Sequence, residues 1–309
     1  MPASGGPESA LLTRARAREI FHAAASVAQM LGVRDIEAMV GAGTHALTRF
    51  ANNTIHQNVA ERSGYLSVRA LVDKRTARAS TNRLDAEGIR RVVEEAVTLT
   101  RLQTPDPELL PLAAPADVVE PARWFQQTAA MTPTSRAEAV REAIRAVESS
   151  SQTAAGIYST GESALALLNT NGGFVYHAET MAQFSITAMA QDSSGWAKKS
   201  SGNAAELTPL DFALIAAKKA TDSRAPGEIA PGRYTVVLEP SAVLDLVGQL
   251  FGDFSATALR DERSFLTGRL GEKIFGENIS IFEHRFRRRG SAAPARYTRR
   301  ERRRAERGL

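Results

Sequence analysis

Five histidines, His22, His45, His56, His177 and His284, are all the imidazole that this 309-residue chain offers. No two stand at the i, i+4 spacing that puts a pair of rings on one helical face for zinc, so no metal site is expected within the chain itself. There is no cysteine either, which removes thiolate zinc sites, disulfides and a cysteine nucleophile together and suits a reducing cytoplasm. His45 and His56 fall on neighbouring expected strands, where an imidazole ordinarily only hydrogen-bonds a neighbour. Serine and lysine do meet in "DSSGWAKKSSG", Asp192 to Gly202. Lys198, however, lies four residues after Ser194 and five after Ser193, so the S-x-x-K spacing of a serine–lysine site is missing. That segment reads as a solvated loop, with Trp196 as a candidate rim contact for a peptide. No G-x-S-x-G elbow, Walker A loop or G-x-G-x-x-G turn is present.

The most unusual polar grouping is "TRFANNTIHQN", Thr48 to Asn58. Phe50, Ile55 and Val59 alternate with polar neighbours as in half-buried strands, and Asn52-Asn53 suits a tight turn because asparagine tolerates positive φ. The segment lacks a nucleophile–base pair. Its amide-rich face, with Arg49, Asn52, Asn53, His56 and Gln57, either offers hydrogen bonds to an extended peptide or is a hairpin that merely tolerates polar residues.

The elements that must position these residues follow from pattern and punctuation. A first helix runs from about Thr13 to Gly32, where glycine suits a left-handed cap. The β-branched segments after it, up to about Ser80, read as an antiparallel meander. A second helix follows Asp85 as cap, with Ile89, Val92, Val93, Ala96 and Val97 on one face. Prolines 105, 107, 111, 115 and 121 then mark a stiff connection and a boundary. Beyond it come a helix opened by a Ser135–Glu138 capping box, a hairpin at Asn171-Gly172-Gly173, and a helix with Thr208 as cap and Pro209 at its first position. A strand at Arg233–Leu238 and an apolar helix at Ser241–Phe251 open a further region. No internal repeat recurs at a fixed period. The fold class is α+β, in these parts: a mobile start at 1–12, an N-terminal α/β domain at 13–104, a Pro-rich linker at 105–121, a middle α/β domain at 122–227, the incomplete start of a β-rich C-terminal domain at 228–283, and an Arg-rich tail at 284–309.

Charge is uneven along the chain. The overall net charge is +5, yet residues 284–309 alone hold 11 arginines against 2 glutamates, which leaves the rest of the chain mildly acidic. An electrostatic case for nucleic acid therefore concerns the tail and not the folded body. No signal peptide order and no apolar run of about 18 residues is found, so a cytoplasmic protein with no membrane partner is expected.

"TRFANNTIHQN", "RASTNRLDAEGI", "LLNTNG" and "FLTGRLGEKIFGENISI" together resemble the TldD/PmbA family, whose second type is also called TldE. The likeness runs from about residue 20 to residue 282. It implies a two-part protein, α/β and then β-rich, in a family whose TldD and TldE types assemble as heterodimers. It further implies metal-dependent cytoplasmic proteolysis of unfolded or small peptides, tied to peptide-antibiotic maturation and antitoxin breakdown; an older family name refers to modulation of DNA gyrase. The catalytic type carries H-E-x-x-x-H on the helix after the first strand of the C-terminal region. Here "LDLVGQ" occupies that place, with Leu244 and Gln249 where the histidines would stand and Asp245 for the glutamate. A further family ligand, a cysteine, has no counterpart. These departures imply a non-metal-binding TldE/PmbA-type subunit that is not catalytic alone, with no cofactor of its own and with zinc in a TldD-type partner. The expected contacts are that partner and an extended peptide, the latter through Arg49, Asn52, Asn53, His56, Gln57 and Trp196. Two further readings stand beside this one: a nucleic-acid- or gyrase-associated protein using the basic tail, and an autonomous metallopeptidase of the same family. The tail itself is expected to be a shifted reading frame and not a binding arm, because the likeness breaks off in mid-domain.

Overall fold

The computed structural model describes residues 8–281 apart from 117 and 119; the Arg-rich tail and the start before Glu8 lie outside the described residues. The chain forms two compact units, Met1–Arg233 and Tyr234–Leu309.

In the first unit, α1 (Arg14–Met30) leads into β1 (Asp35–Ala51), β2 (Thr54–Val72), β3 (Arg75–Thr81) and α2 (Ala86–Leu102). After a short α3 (Gln126–Ala129) come α4 (Pro133–Glu148), β4 (Thr153–Asn169), β5 (Phe174–Met189), β6 (Ser194–Ser201) and α5 (Pro209–Asp222). All six strands form one antiparallel sheet in the order β3-β2-β1-β4-β5-β6. Helices and an antiparallel sheet make the unit α+β, as the sequence predicts.

Local chemistry sets the boundaries. Thr13 caps α1 by accepting from the Arg16 N–H, and Gly32 beyond the helix takes φ +76°. Asn52 and Asn53, at φ +50° and +59°, close the β1–β2 hairpin in the two-residue turn expected of them. Asp73 and Lys74 close β2–β3 in the same way, at φ +48° and +60°; no glycine or asparagine announces that turn. The cap of α4 lies three residues earlier than the sequence suggests. Thr132 accepts from the Ser135 N–H and Pro133 starts the helix, because proline needs no hydrogen bond there and supplies the right φ.

The sequence shows no repeat, but the architecture has one. Each half of the unit is helix, long strand, long strand, short strand, helix, and the first four elements of the second half start 118 to 120 residues after their counterparts: Arg14 and Pro133, Asp35 and Thr153, Thr54 and Phe174, Arg75 and Ser194. The halves join where β1 pairs with β4, from Glu37↔Asn169 to Phe50↔Gly156, about a centre at Gly43↔Ser163 and Thr44↔Glu162. Even-numbered residues of β1 and β4 face the helices. Ile36, Ala38, Val40, Ala164, Ala166 and Leu168 pack under α1 and α2, while Phe50, Ala154 and Tyr158 pack under α4 and α5. Both cores thus lie on one face of the sheet. The helices of this unit leave the other face uncovered, with Tyr65, Leu165, Met181 and Trp196 exposed there.

The Pro-rich stretch, expected to separate two domains, runs along one end of this continuous sheet. Asp106 N–H donates to the Lys74 carbonyl (2.7 Å), Asn169 donates to the Ala113 carbonyl (3.0 Å), and Thr180 N–H donates to the Arg123 carbonyl (3.1 Å). Strands from both sides of the stretch pair with each other, so it is a strap along one shared sheet. Residues 8–12, expected as part of a mobile start, are likewise held: Ser9 and Leu12 are buried, and the Tyr176 hydroxyl donates to the Leu12 carbonyl (2.7 Å) while accepting from the Ser9 N–H (3.1 Å).

The second unit carries α6 (Pro240–Gly248) and α7 (Ala256–Arg260) and a small aromatic cluster of Phe251, Phe254 and Phe265, with centroids 6.1 and 6.3 Å apart. The expected strand Arg233–Leu238 does not form. No other described segment of this unit is a strand, so its backbone has no ladder to join. Among the described residues no helix is long and apolar enough to cross a membrane.

Candidate functional site

The polar hairpin tip is built by two opposed demands. Phe50 and Ile55 point to the second core, where Phe50 stacks on Phe184 (6.3 Å, 16°). Their neighbours must therefore face outward. Between them the register slips: Arg49 stands opposite Gln57 and Phe50 opposite Ile55, so His56 is an unpaired bulge residue at the exposed end of the strand. Arg49 and Gln57 sit on the open face, with Arg49 Nη1 donating to Gln57 Oε1 at 3.5 Å. Asn52 is exposed at the turn.

Asn53 differs from its neighbours. Its Oδ1 accepts from the Ala154 N–H (2.6 Å), its Nδ2 donates to the Gln152 carbonyl (3.4 Å), and its own N–H donates to the Ala154 carbonyl (3.2 Å). The side chain is spent on clipping the hairpin to the start of β4, a use the sequence could not reveal.

Trp196 lies on no loop. "DSSGWAKKSSG" forms the edge strand β6, paired with β5 from Ala182↔Ser201 to Met189↔Ser194, which overturns the loop expectation. The cause is burial on one side: Ala197 and Ser201 are buried, and Gly195 lies so close to the Ala216 carbonyl of α5 that a Cβ there would collide with it. Trp196 pairs with Thr187 and faces the open side, 38 % exposed. From β2 to β6 is four strand spacings, about 19 Å, so Trp196 shares a face with Arg49 and Gln57 without touching them.

Behind the hairpin, between its tip and α4, opens a groove of about 580 Å³ lined in part by Asn53, Asn58, Arg141, Arg145 and Glu148. Bonded to the groove residue Asn58 is a residue that sequence reading missed. Arg136 is 1 % exposed, and its guanidinium donates to Thr160 Oγ1 (3.1 Å), Thr48 Oγ1, the Met131 carbonyl and Asn58 Oδ1 (each 3.4 Å). All four acceptors are neutral. Burial pushes the arginine pKa down from its usual value and pushes that of nearby Tyr158 up, in each case because a charged form is poorly solvated there. A signal did exist in the sequence: Arg136 falls in phase with Val140, Ala143 and Val147, the buried stripe of α4.

Leu244, Asp245 and Gln249, which the sequence resemblance sets at the zinc motif, lie on α6 or just past its end, and all three are exposed. Leucine offers no donor atom, and one carboxylate beside one amide falls short of the three protein ligands that a catalytic zinc takes. Among the described residues no cluster of three or more histidine, aspartate or glutamate side chains could hold a metal ion. The residues present do not fit zinc.

Comparison with known proteins gives three consecutive family matches. Residues 37–100 match PmbA/TldA metallopeptidase domain 1, residues 128–224 the central domain, and residues 231–294 the C-terminal domain. An uncharacterised protein of Methanocaldococcus jannaschii is 32 % identical over 119 residues, 38 % of this chain and 28 % of that protein. Among solved structures, a candidate modulator of DNA gyrase from Thermotoga maritima superposes with TM-score 0.75 at 19 % identity, covering 82 % of this chain and 59 % of that one. A similarly described protein from Bacteroides thetaiotaomicron gives 0.70 at 19 % identity, over 85 % and 62 %. TldE from Thermococcus kodakarensis gives 0.67 at 17 %, over 83 % and 59 %. The chain thus spans about three-fifths of the length of these solved structures, which share its fold. The three domain matches follow one another along the chain in the family's own order, and the chain belongs to the PmbA/TldD metallopeptidase family.

Proposed function

We propose that this chain acts as a TldE/PmbA-type subunit, without zinc of its own, of a cytoplasmic TldD/TldE-type protease for unfolded or small peptides. The observation that supports this reading is the donor set on α6: Leu244, Asp245 and Gln249, the positions to which the sequence resemblance assigns the family's imidazoles and general base, offer no zinc site. A subunit of that kind contributes through binding and architecture, with zinc held by a TldD-type partner. A solved TldE shares the fold. The surface left for a peptide is the open face and the hairpin tip, through Arg49, Asn52, His56 and Gln57, with Trp196 farther across the same face; Asn53 closes the hairpin that presents them.

The test is peptide turnover by this chain reconstituted with a TldD-type protein. Cleavage should need both chains. Replacing Asn52 and Gln57 together by alanine should lower turnover about 5- to 150-fold, since each of the two lost hydrogen bonds is worth about 0.5–1.5 kcal/mol in substrate holding, while the partner's zinc content stays unchanged. Full activity of the partner alone would end the subunit reading.

A further inference from the structure

The two halves of the first unit differ in what lies beside their long outer strands. In the second half, β6 pairs with β5 only from Ala182 to Met189, so residues 174–181 of β5 would have a bare outer edge. They do not. The chain's own extended segment around Arg123 runs there as a parallel bridge, Arg123↔Glu179. Thr180 N–H donates to the Arg123 carbonyl (3.1 Å), Phe125 N–H donates to Thr180 Oγ1 (3.0 Å), and the Arg123 guanidinium faces the Glu179 carboxylate at 3.9 Å. In the first half, β3 pairs with β2 only from Leu66 to Val72. Residues 54–65 of β2 are paired to β1 on one side, and among the described residues no strand or bridge lies on the other. Most of this stretch is exposed, including Thr54, His56, Gln57, Ala60, Glu61, Arg62 and Ser63.

We propose that the outer edge of β2, Thr54–Ser63, is a strand-addition site that takes an extended peptide running parallel to β2, with a basic side chain set against Glu61. The occupant is read from the equivalent position of the same fold: on β5 an extended, irregular chain with an arginine against a glutamate fills the place. Glu61 lies on the same open face as Glu179, as the registers Glu61↔His45, Gly43↔Ser163 and Ser163↔Glu179 require, and among the described residues its carboxylate has no ion-pair partner. A ten-residue edge spans about 34 Å, room for six to eight peptide residues whose main chain supplies affinity and whose alternate side chains supply preference. The parallel sense argues against a second copy of this chain as the occupant, because two identical edges related by a two-fold axis pair antiparallel. This site deepens the peptide-holding role proposed above and rests on it for its biological use, but its test needs no partner protein.

The experiment uses the whole chain and two fluorescein-labelled eight-residue peptides, one alternating threonine with arginine and one alternating threonine with glutamate. The arginine probe should bind about 2- to 5-fold tighter, the range of one exposed charge pair, and Glu61→Lys should reverse that order. Bound probe should slow amide exchange within residues 54–65 and leave 174–181 as they were, and N-methylation of alternate probe amides should abolish binding. The proposal is overturned by protection elsewhere, by an order of preference unmoved in Glu61→Lys, by equal binding of the N-methylated probe, or by protection of 54–65 that grows with chain concentration in the absence of probe, which would mark self-association. Binding here with no cooperation in turnover would sink the subunit reading and keep this site; cooperative turnover with no binding here would do the reverse.

Discussion

Residues 54–65 of β2 and residues 174–181 of β5 hold the same place in the two halves of one sheet, yet the first stretch is mostly exposed, whereas the second is half-buried or buried up to Thr180, with Tyr176, Ala178 and Thr180 buried, and only Met181 exposed. Both are strands that outrun their short neighbours. What differs is the strap: residues 105–116 run along the end of the sheet and residues 123–125 settle on β5, and nothing comparable among the described residues settles on β2. A bare edge is a row of unspent donors and acceptors, and it invites a partner. The lesson is that the character of an edge is decided by what the chain lays beside it, not by the strand's own residues.

The largest effect is expected from loosening the strap. Trp124 packs against the first core and its Nε1 donates to Glu162 Oε1 (2.7 Å), so Trp124→Ala should cost about 3 kcal/mol in denaturant unfolding. It should also make amide exchange at 174–181 as fast as at 54–65. Unchanged protection there would mean that the strap is not what separates the two edges.

Next in size is Thr180, whose hydroxyl accepts from Phe125 N–H and donates to the Gly202 carbonyl (2.8 Å). Thr180→Val strands both partners and should cost about 1–3 kcal/mol, whereas Ala60→Val on the exposed β2 edge should stay within about 0.5 kcal/mol. Equal costs would erase the contrast.

The hairpin tip gives a smaller difference within one turn. Asn53→Ala leaves the Ala154 N–H without its side-chain acceptor and should cost about 1–2 kcal/mol, while Asn52→Gly, at a left-handed position with an exposed side chain, should change stability by no more than about 0.5 kcal/mol.

The smallest effect compares the caps of the last helix in each half. Asp85 accepts from the Gly88 N–H (2.7 Å), and that bond, with Arg83 beside it, holds its carboxyl below the usual carboxylate range. With the folded pKa below the unfolded one, the contribution is present above the unfolded value and fades as pH falls through the folded one. Asp85→Asn should therefore flatten the acid limb of the stability profile. Thr208, at the same place before α5, makes no side-chain cap bond, so Thr208→Ala should leave the profile unmoved in thermal melts across pH.

The sequence by itself determined the local pieces, because local pieces rest on short-range chemistry. Thr13, Asp85 and Pro209 set helix starts, Asn52-Asn53 and Gly172 set turns, and the alternation of Phe50 and Ile55 set which side of a hairpin is buried. It also determined that no imidazole or thiol stands on α6, since side-chain identity needs no fold. Only the tertiary structure decided that β1 pairs with β4, that "SGWAKKSS" is a strand, and that the Pro-rich stretch is a strap. Each depends on partners tens of residues or more away in the chain or on a helix laid across it. The same holds for Arg136 and Asn53: one looks like a surface arginine and the other like a free amide until Thr48, Thr160 and Ala154 are brought to them. Hydrogen bonds over such separations leave no mark in local spacing, because the residues that make them possible are ordinary wherever they stand in the chain.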